Sequence, residues 1–169
     1  MSSARILIVL TSHEDLGDTG EKTGFWLEEF ASPYYVFLDA GADVTLASTV
    51  GGHPPVDPKS EEAEWRTDDT IRFDADMTAK SALASTIRVE DVDAAAYDAV
   101  FAPGGHGPMW DFPGNQPLAR LIEAFDREKK PIGAVCHGPV ALTSATKADG
   151  SPLVADRRVT GFTNGEEDA

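Results

Sequence analysis

The sequence predicts an α/β sandwich, a mostly parallel sheet with helices on both faces. Three observations predict it. Arg5 opens an unbroken apolar run to Leu10, the mark of a strand buried on both faces of a parallel sheet. Strand-like and helix-like segments then alternate along the 169 residues. A lone cysteine, Cys136, stands where a late strand gives way to a helix, and open α/β sheets bind ligands beyond the carboxyl ends of their strands.

The elements follow in order. After the first strand comes a polar loop from Thr11 to about Gly24, rich in Gly, Asp and Thr. Phe25 to Ala40 spaces Phe25, Leu27, Phe30, Tyr34, Phe37 and Leu38 helically, with Pro33 predicting a break or kink and Gly41 a C-terminal stop. Asp43 to Ser48 completes a β-α-β unit. Thr49 to Asp76 begins Gly51-Gly52-His53-Pro54-Pro55 and turns strongly acidic, which predicts a solvated insertion with a short helix around Ser60–Trp65. A helix is predicted over Met77–Ala84, a strand over Tyr97–Ala102 and a helix over Pro117–Glu128 with Leu118, Leu121, Ile122 and Phe125 on one face. Ile132 to Cys136 reads as a buried strand with a helix directly after it, and Leu153 to Phe162 as one or two short strands. There is no internal repeat and no second hydrophobic core, so residues 1–169 read as one domain.

Composition narrows the function. Fourteen Lys and Arg against 29 Asp and Glu give a net charge of −15, a field that repels nucleic acid and anionic lipid. No stretch approaches the roughly 20 apolar residues of a membrane helix, and the apolar run after Arg5 is too short for a secretory core. The expected location is the cytoplasm. A single cysteine excludes an intramolecular disulfide and any multi-thiolate metal site.

Cys136 is the candidate nucleophile. A side chain on a sharp strand-to-helix turn projects outward, as in the elbow of hydrolases. The partial positive charge of a helix N-terminus, about 0.5 e, would favour the thiolate. With a further donor or cation, such settings lower a cysteine from about 8.5 to roughly 3.5–7.5. Gly104-Gly105-His106-Gly107 closes the neighbouring strand on the same sheet edge, and a free N–H there can form half of an oxyanion hole. His106 and His137 are both candidate acid–base groups, His137 the better placed.

These segments resemble the DJ-1/PfpI superfamily, most closely its Hsp31-like branch, often labelled class I glutamine-amidotransferase-like. The resemblance runs through Thr23-Gly24-Phe25-Trp26-Leu27-Glu28-Glu29 with Pro33, Ala40-Gly41-Ala42-Asp43-Val44 and Gly51-Gly52-His53-Pro54-Pro55-Val56-Asp57. It continues in Pro103-Gly104-Gly105-His106-Gly107 with Asp111, Ala134-Val135-Cys136-His137-Gly138-Pro139 and Val159-Thr160-Gly161-Phe162. It implies a flavodoxin-like three-layer sandwich with a nucleophilic Cys136. It also implies an acid on the first helix that touches the thiol: Glu29, four residues before the proline, with Glu28 second. A carboxyl beside a thiolate should have its pKa raised and donate a hydrogen bond to sulfur. An acid after Thr-Gly-Phe, Glu166 or Glu167, would complete a Cys136-His137-acid triad. Members of the family usually continue well past that Glu-Glu pair, so 1–169 is expected to lack the usual C-terminal element.

The resemblance further implies a homodimer that needs no cofactor or metal and acts on a small aldehyde in the manner of glyoxalase III, converting methylglyoxal to lactate. Gly104, Gly105 and His106 would bind the oxyanion or substrate. Two other roles occur in the superfamily: a holdase chaperone or cysteine oxidation sensor, and a PfpI-like peptidase. Glutamine amidotransferase chemistry is disfavoured, because the histidine here directly follows the cysteine. The acidic excess leaves two readings open, a salt-adapted protein and an ordinary acidic surface. At 1 M salt the screening length falls to about 3 Å, so the first reading predicts a higher melting temperature in molar than in dilute salt; equal melting temperatures leave only the second.

Overall fold

The computed structural model describes residues 3–167. Five parallel strands, β1 (Arg5–Leu10), β2 (Asp43–Ser48), β3 (Ile87–Arg88), β4 (Ala99–Ala102) and β5 (Ile132–Ala134), form one sheet in the order β3-β2-β1-β4-β5. β1 lies in the middle, and its unbroken apolar run follows from that place. Leu7 and Val9 enter one buried cluster while Ile8 and Leu10 enter the other, because successive strand residues face opposite ways.

The helices are α1 (Leu27–Asp39), α2 (Asp68–Ala75), α3 (Met77–Ala84), α4 (Pro108–Asp111), α5 (Gln116–Arg127) and α6 (Asn164–Glu167). α1, α2 and α3 cover one face through Phe30, Tyr34, Phe73 and Leu83. α5 covers the other through Leu118, Leu121, Ile122 and Phe125, giving the three layers expected. Among the described residues no helix is long and apolar enough to cross a membrane.

Several expectations are corrected. α1 runs through Pro33 without a break. Proline removes one backbone donor, but Phe30 and Ala31 before it and Tyr34 and Tyr35 after it are all buried, so packing holds both halves in one helix. Gly41 ends the helix as expected: at φ +80° its N–H bonds Leu38 O at 2.9 Å while Ala42 N–H bonds Phe37 O at 3.0 Å, a Schellman closure. The strand at β5 stops at Ala134, two residues short of Cys136, and the segment after it is a 3-10 turn, Gly138–Leu142, rather than an α-helix. Residues 153–162 form no strand of the sheet.

The acidic insertion is more than solvated decoration. Around Ser60–Trp65 it forms two 3-10 turns, Pro58–Glu61 and Ala63–Trp65, and then the unexpected α2, opened by a capping box between Thr67 and Thr70. Its first part anchors the start of α1. Phe25 N–H bonds Pro55 O at 2.9 Å, and Asp57 N–H bonds Phe25 O at 2.8 Å. Leu27 N–H bonds Ser60 Oγ at 3.0 Å, a cap supplied from outside the helix. The buried Asp57 carboxylate accepts from Thr23 Oγ1 at 2.8 Å and Lys59 N–H at 2.9 Å.

Candidate functional site

Parallel strands bring their carboxyl ends to one edge, and three segments meet there: the start of α1, the glycine loop after β4 and the turn after β5. Cys136 sits on that turn with φ +54°, a left-handed conformation that non-glycine residues rarely take. The turn is held by Val135 N–H on Ala102 O at 3.2 Å and Gly138 N–H on Val135 O at 2.7 Å. A Cβ on Gly138 would lie 2.2 Å from Ala102 O, so only glycine lets this turn rest on β4.

Across Gly104, the half-buried Cys136 thiol lies beside Glu29, whose carboxylate disfavours the thiolate while the backbone N–H groups of Gly105 and His137 favour it. Glu29, not Glu28, is the acid that reaches it. Gly104 N–H donates to Glu29 Oε2 at 2.8 Å, so this amide is committed to the carboxylate and is not free for an oxyanion. The Gly104 position matters through its missing side chain: a Cβ would lie 2.6 Å from Cys136 Cβ and 2.9 Å from Glu29 Oε2.

The ionisation of this pair departs from the expectation of a simply acidified thiol. Burial raises Glu29 above the ordinary carboxylate range, against the pull of the Gly104 N–H. Burial, with the Glu29 charge added, pushes Cys136 up to about 11, although the Gly105 and His137 N–H groups favour the thiolate. The turn that follows is too short and too tightly wound to supply a full helix dipole. Two groups that each oppose the other's ionisation titrate as a unit. They hold one proton between them, and the last leaves only at about 11, held first by burial and then by the neighbouring anion. Within that singly protonated pair, two N–H donors await negative charge on sulfur and one awaits it on the carboxylate. The thiolate with a neutral Glu29 is therefore one in-place proton transfer away.

His137 Nδ1 lies 3.3 Å from Cys136 Sγ, and its Nε2 lies 2.8 Å from Glu167 Oε1. Glu167 thus takes the third place of the triad geometry. Glu166 does not: its carboxylate accepts from the N–H and Oγ1 of Thr163, both at 2.8 Å, and these bonds lower its pKa. The His137 ring lies between those of His106 and Phe162, with 4.8 Å between centroids on each side. The exposed His106 has a lowered pKa through partial burial and through His137.

A cleft of about 380 Å³ opens beside the thiol, lined among others by Met109, Val140, Leu142, Thr143, Val159 and Phe162. The apolar lining was not singled out from the sequence, although Phe162 and Met109, large apolar residues left exposed, were the available signal. Also missed was how Asp111 is used. Its carboxylate accepts from Thr11 Oγ1 at 2.7 Å, Ser12 N–H at 2.7 Å and Thr49 Oγ1 at 2.5 Å, tying α4 and the glycine loop to the ends of β1 and β2.

A model of the DJ-1/PfpI family matches residues 22–168, and the chain belongs to that family. It is 30% identical over 167 residues to glyoxalase 3 of Candida albicans, covering 97% of this chain and 71% of that protein. It is also 30% identical over 168 residues to the glutathione-independent glyoxalase HSP31 of Saccharomyces cerevisiae, covering 97% and 70%. The crystal structure of the rapid encystment protein of Francisella tularensis superposes with a TM-score of 0.91 at 37% identity, covering 98% of this chain and 72% of that one.

Gly105, at φ +88°, generates a prediction. A Cβ there would lie 2.4 Å from Gly24 O and 2.7 Å from Trp26 N. Gly105→Ala should cost about 2–4 kcal/mol in chemical denaturation, from overpacking and left-handed strain together; a loss within experimental error would show the loop is free to shift.

Proposed function

We propose that the protein is a glutathione-independent glyoxalase that converts a small α-oxoaldehyde such as methylglyoxal, with water, to the 2-hydroxy acid. The observation that carries the reading is one thiol set beside a half-buried carboxyl and flanked by a histidine that is itself held by a second carboxylate. The names of the 30% identical relatives support it. The cleft suits a small carbonyl better than a peptide, which needs an extended groove.

The steps balance without an external oxidant. Sulfur attacks the aldehyde carbon, the carbonyl π pair moves to oxygen, and Glu29 gives that oxygen its proton, leaving a hemithioacetal and a carboxylate. The N–H groups of Gly105 and His137 lie beside the developing oxyanion. With Nε2–H donated to Glu167, His137 offers Nδ1 as an acceptor 3.3 Å from sulfur. It takes the hydrogen of the aldehyde carbon as a proton and returns it to the neighbouring carbon through an enediol, while the hydroxyl proton passes from the first carbon's oxygen to the second's. The first carbon is oxidised to a thioester as the second is reduced to an alcohol. Water, deprotonated by Glu29, then releases the acid and restores the thiol.

Turnover of methylglyoxal and glyoxal by wild type and variants tests this. Cys136→Ala should abolish it, and Glu29→Ala and His137→Ala should each lower kcat by about 10²–10⁴-fold, the range of general acid–base contributions. Glu167→Gln should also lower kcat, whereas Glu166→Gln, at the Thr163 cap, should not. Full activity in Cys136→Ala would refute the assignment.

A further inference from the structure

The single cysteine excludes a multi-thiolate metal centre, but the fold assembles a different donor set beside the thiol. One nitrogen each of His106 and His137 and one carboxylate oxygen of Glu167 all lie within 4.8 Å of one another. They come from three separate segments: the glycine loop after β4, the turn after β5 and α6. Zinc ligands at bonds of about 2.0–2.2 Å stand roughly 3.3 Å apart, so closure onto an ion needs only small side-chain movements. The site has the right mix of fixed and adjustable parts. His137 is held by the rings of His106 and Phe162 and is only 9% exposed in its side chain, whereas Glu167 is 42% exposed and His106 lies at the surface. Two imidazoles and one carboxylate suit zinc and its transition-metal neighbours, not magnesium or calcium, which take oxygen.

We propose that His106, His137 and Glu167 form a zinc-class binding site whose occupation switches the thiol chemistry off. The reason lies in the two sides of one ring. Nε2 faces Glu167 and Nδ1 faces Cys136. A metal on Nε2 takes the lone pair that the free ring offers there only after its N–H proton has moved to Nδ1. Nδ1 then becomes a donor toward sulfur and has no lone pair left to accept a proton. Binding also takes Glu167 from its place behind the imidazole. His137 and Glu167 thus serve either the relay or the ion, and never both.

Calorimetric titration of the intact protein with Zn²⁺ decides the binding claim without any substrate. One ion per chain is expected, with no comparable heat from Mg²⁺. His106→Ala and Glu167→Gln, both at exposed positions, should each weaken binding by at least about tenfold, a loss that even supporting contacts of metal sites produce. Cys136→Ser should bind as wild type does, and Co²⁺ should show no sulfur-to-metal charge-transfer band. Absence of binding, equal binding by His106→Ala, or binding lost in Cys136→Ser would each overturn the proposal. The inhibitory half rests on the glyoxalase reading and is scored separately: Zn²⁺ should suppress turnover in wild type reversibly on chelation, and turnover unchanged at saturating Zn²⁺ would overturn it. A protein that binds Zn²⁺ as described but turns over no aldehyde would leave the site standing and remove only the activity.

Discussion

The coupling between Cys136 and Glu29 is the constraint around which the rest of this molecule is arranged. A half-buried carboxyl and a half-buried thiol side by side resist being charged together, so the pair keeps one proton until high pH. That requires the two groups to meet at one sheet edge although they lie far apart in sequence. Parallel pairing of β1, β4 and β5 achieves it, because each strand delivers its following segment to the same end. The insertion between β2 and β3 completes the arrangement by capping α1 through Ser60, which fixes the turn that carries Glu29.

The geometry has a cost, and the surroundings show where it is met. A left-handed Cys136 costs about 1–3 kcal/mol and persists only where neighbours over-determine it. Here they do. The turn is bonded to β4, Gly138 and Gly104 leave room where any side chain would collide, and Asp111 locks the glycine loop to the ends of β1 and β2. Among the described residues no buried side-chain nitrogen or oxygen lacks a hydrogen-bond partner, so the polar edge of the sheet is satisfied without a ligand. The same crowding brings His106, His137 and Phe162 together as a row of tilted rings, which sets the direction of both ring nitrogens of His137.

Much of this was legible in the chain. The bounds of β1, β2 and α3 follow directly from their apolar runs and spacing, and α5 differs by one residue at each end. The location of Cys136 and the order of its companions were readable because glycines and a strand end mark them. Other features depend on tertiary context. β3 is two residues long and exists only through pairing with β2. α2 buries little beyond Thr70 and Phe73, so its periodicity is faint, although Thr67 and Thr70 carried a capping signal. Glu166 and Glu167 are adjacent acids, and only the course of α6 separates a cap on Thr163 from a partner for His137. The ionisation of the thiol differs from the sequence expectation because the sulfur is half-buried and the helix that should have favoured its charge is a 3-10 turn.

The pairing of Cys136 with Glu29 is tested most directly by the rate of thiol alkylation with iodoacetamide as a function of pH, in wild type and Glu29→Gln. A shared proton predicts two rises for wild type: one as the pair loses its first proton and thiolate becomes accessible, and a second at about 11 as the last leaves. Glu29→Gln has no carboxylate to oppose ionisation, so it should show one rise, below the upper step of wild type. Superimposable profiles with a single midpoint would contradict the account, because they would mean that the carboxyl and the thiol titrate independently.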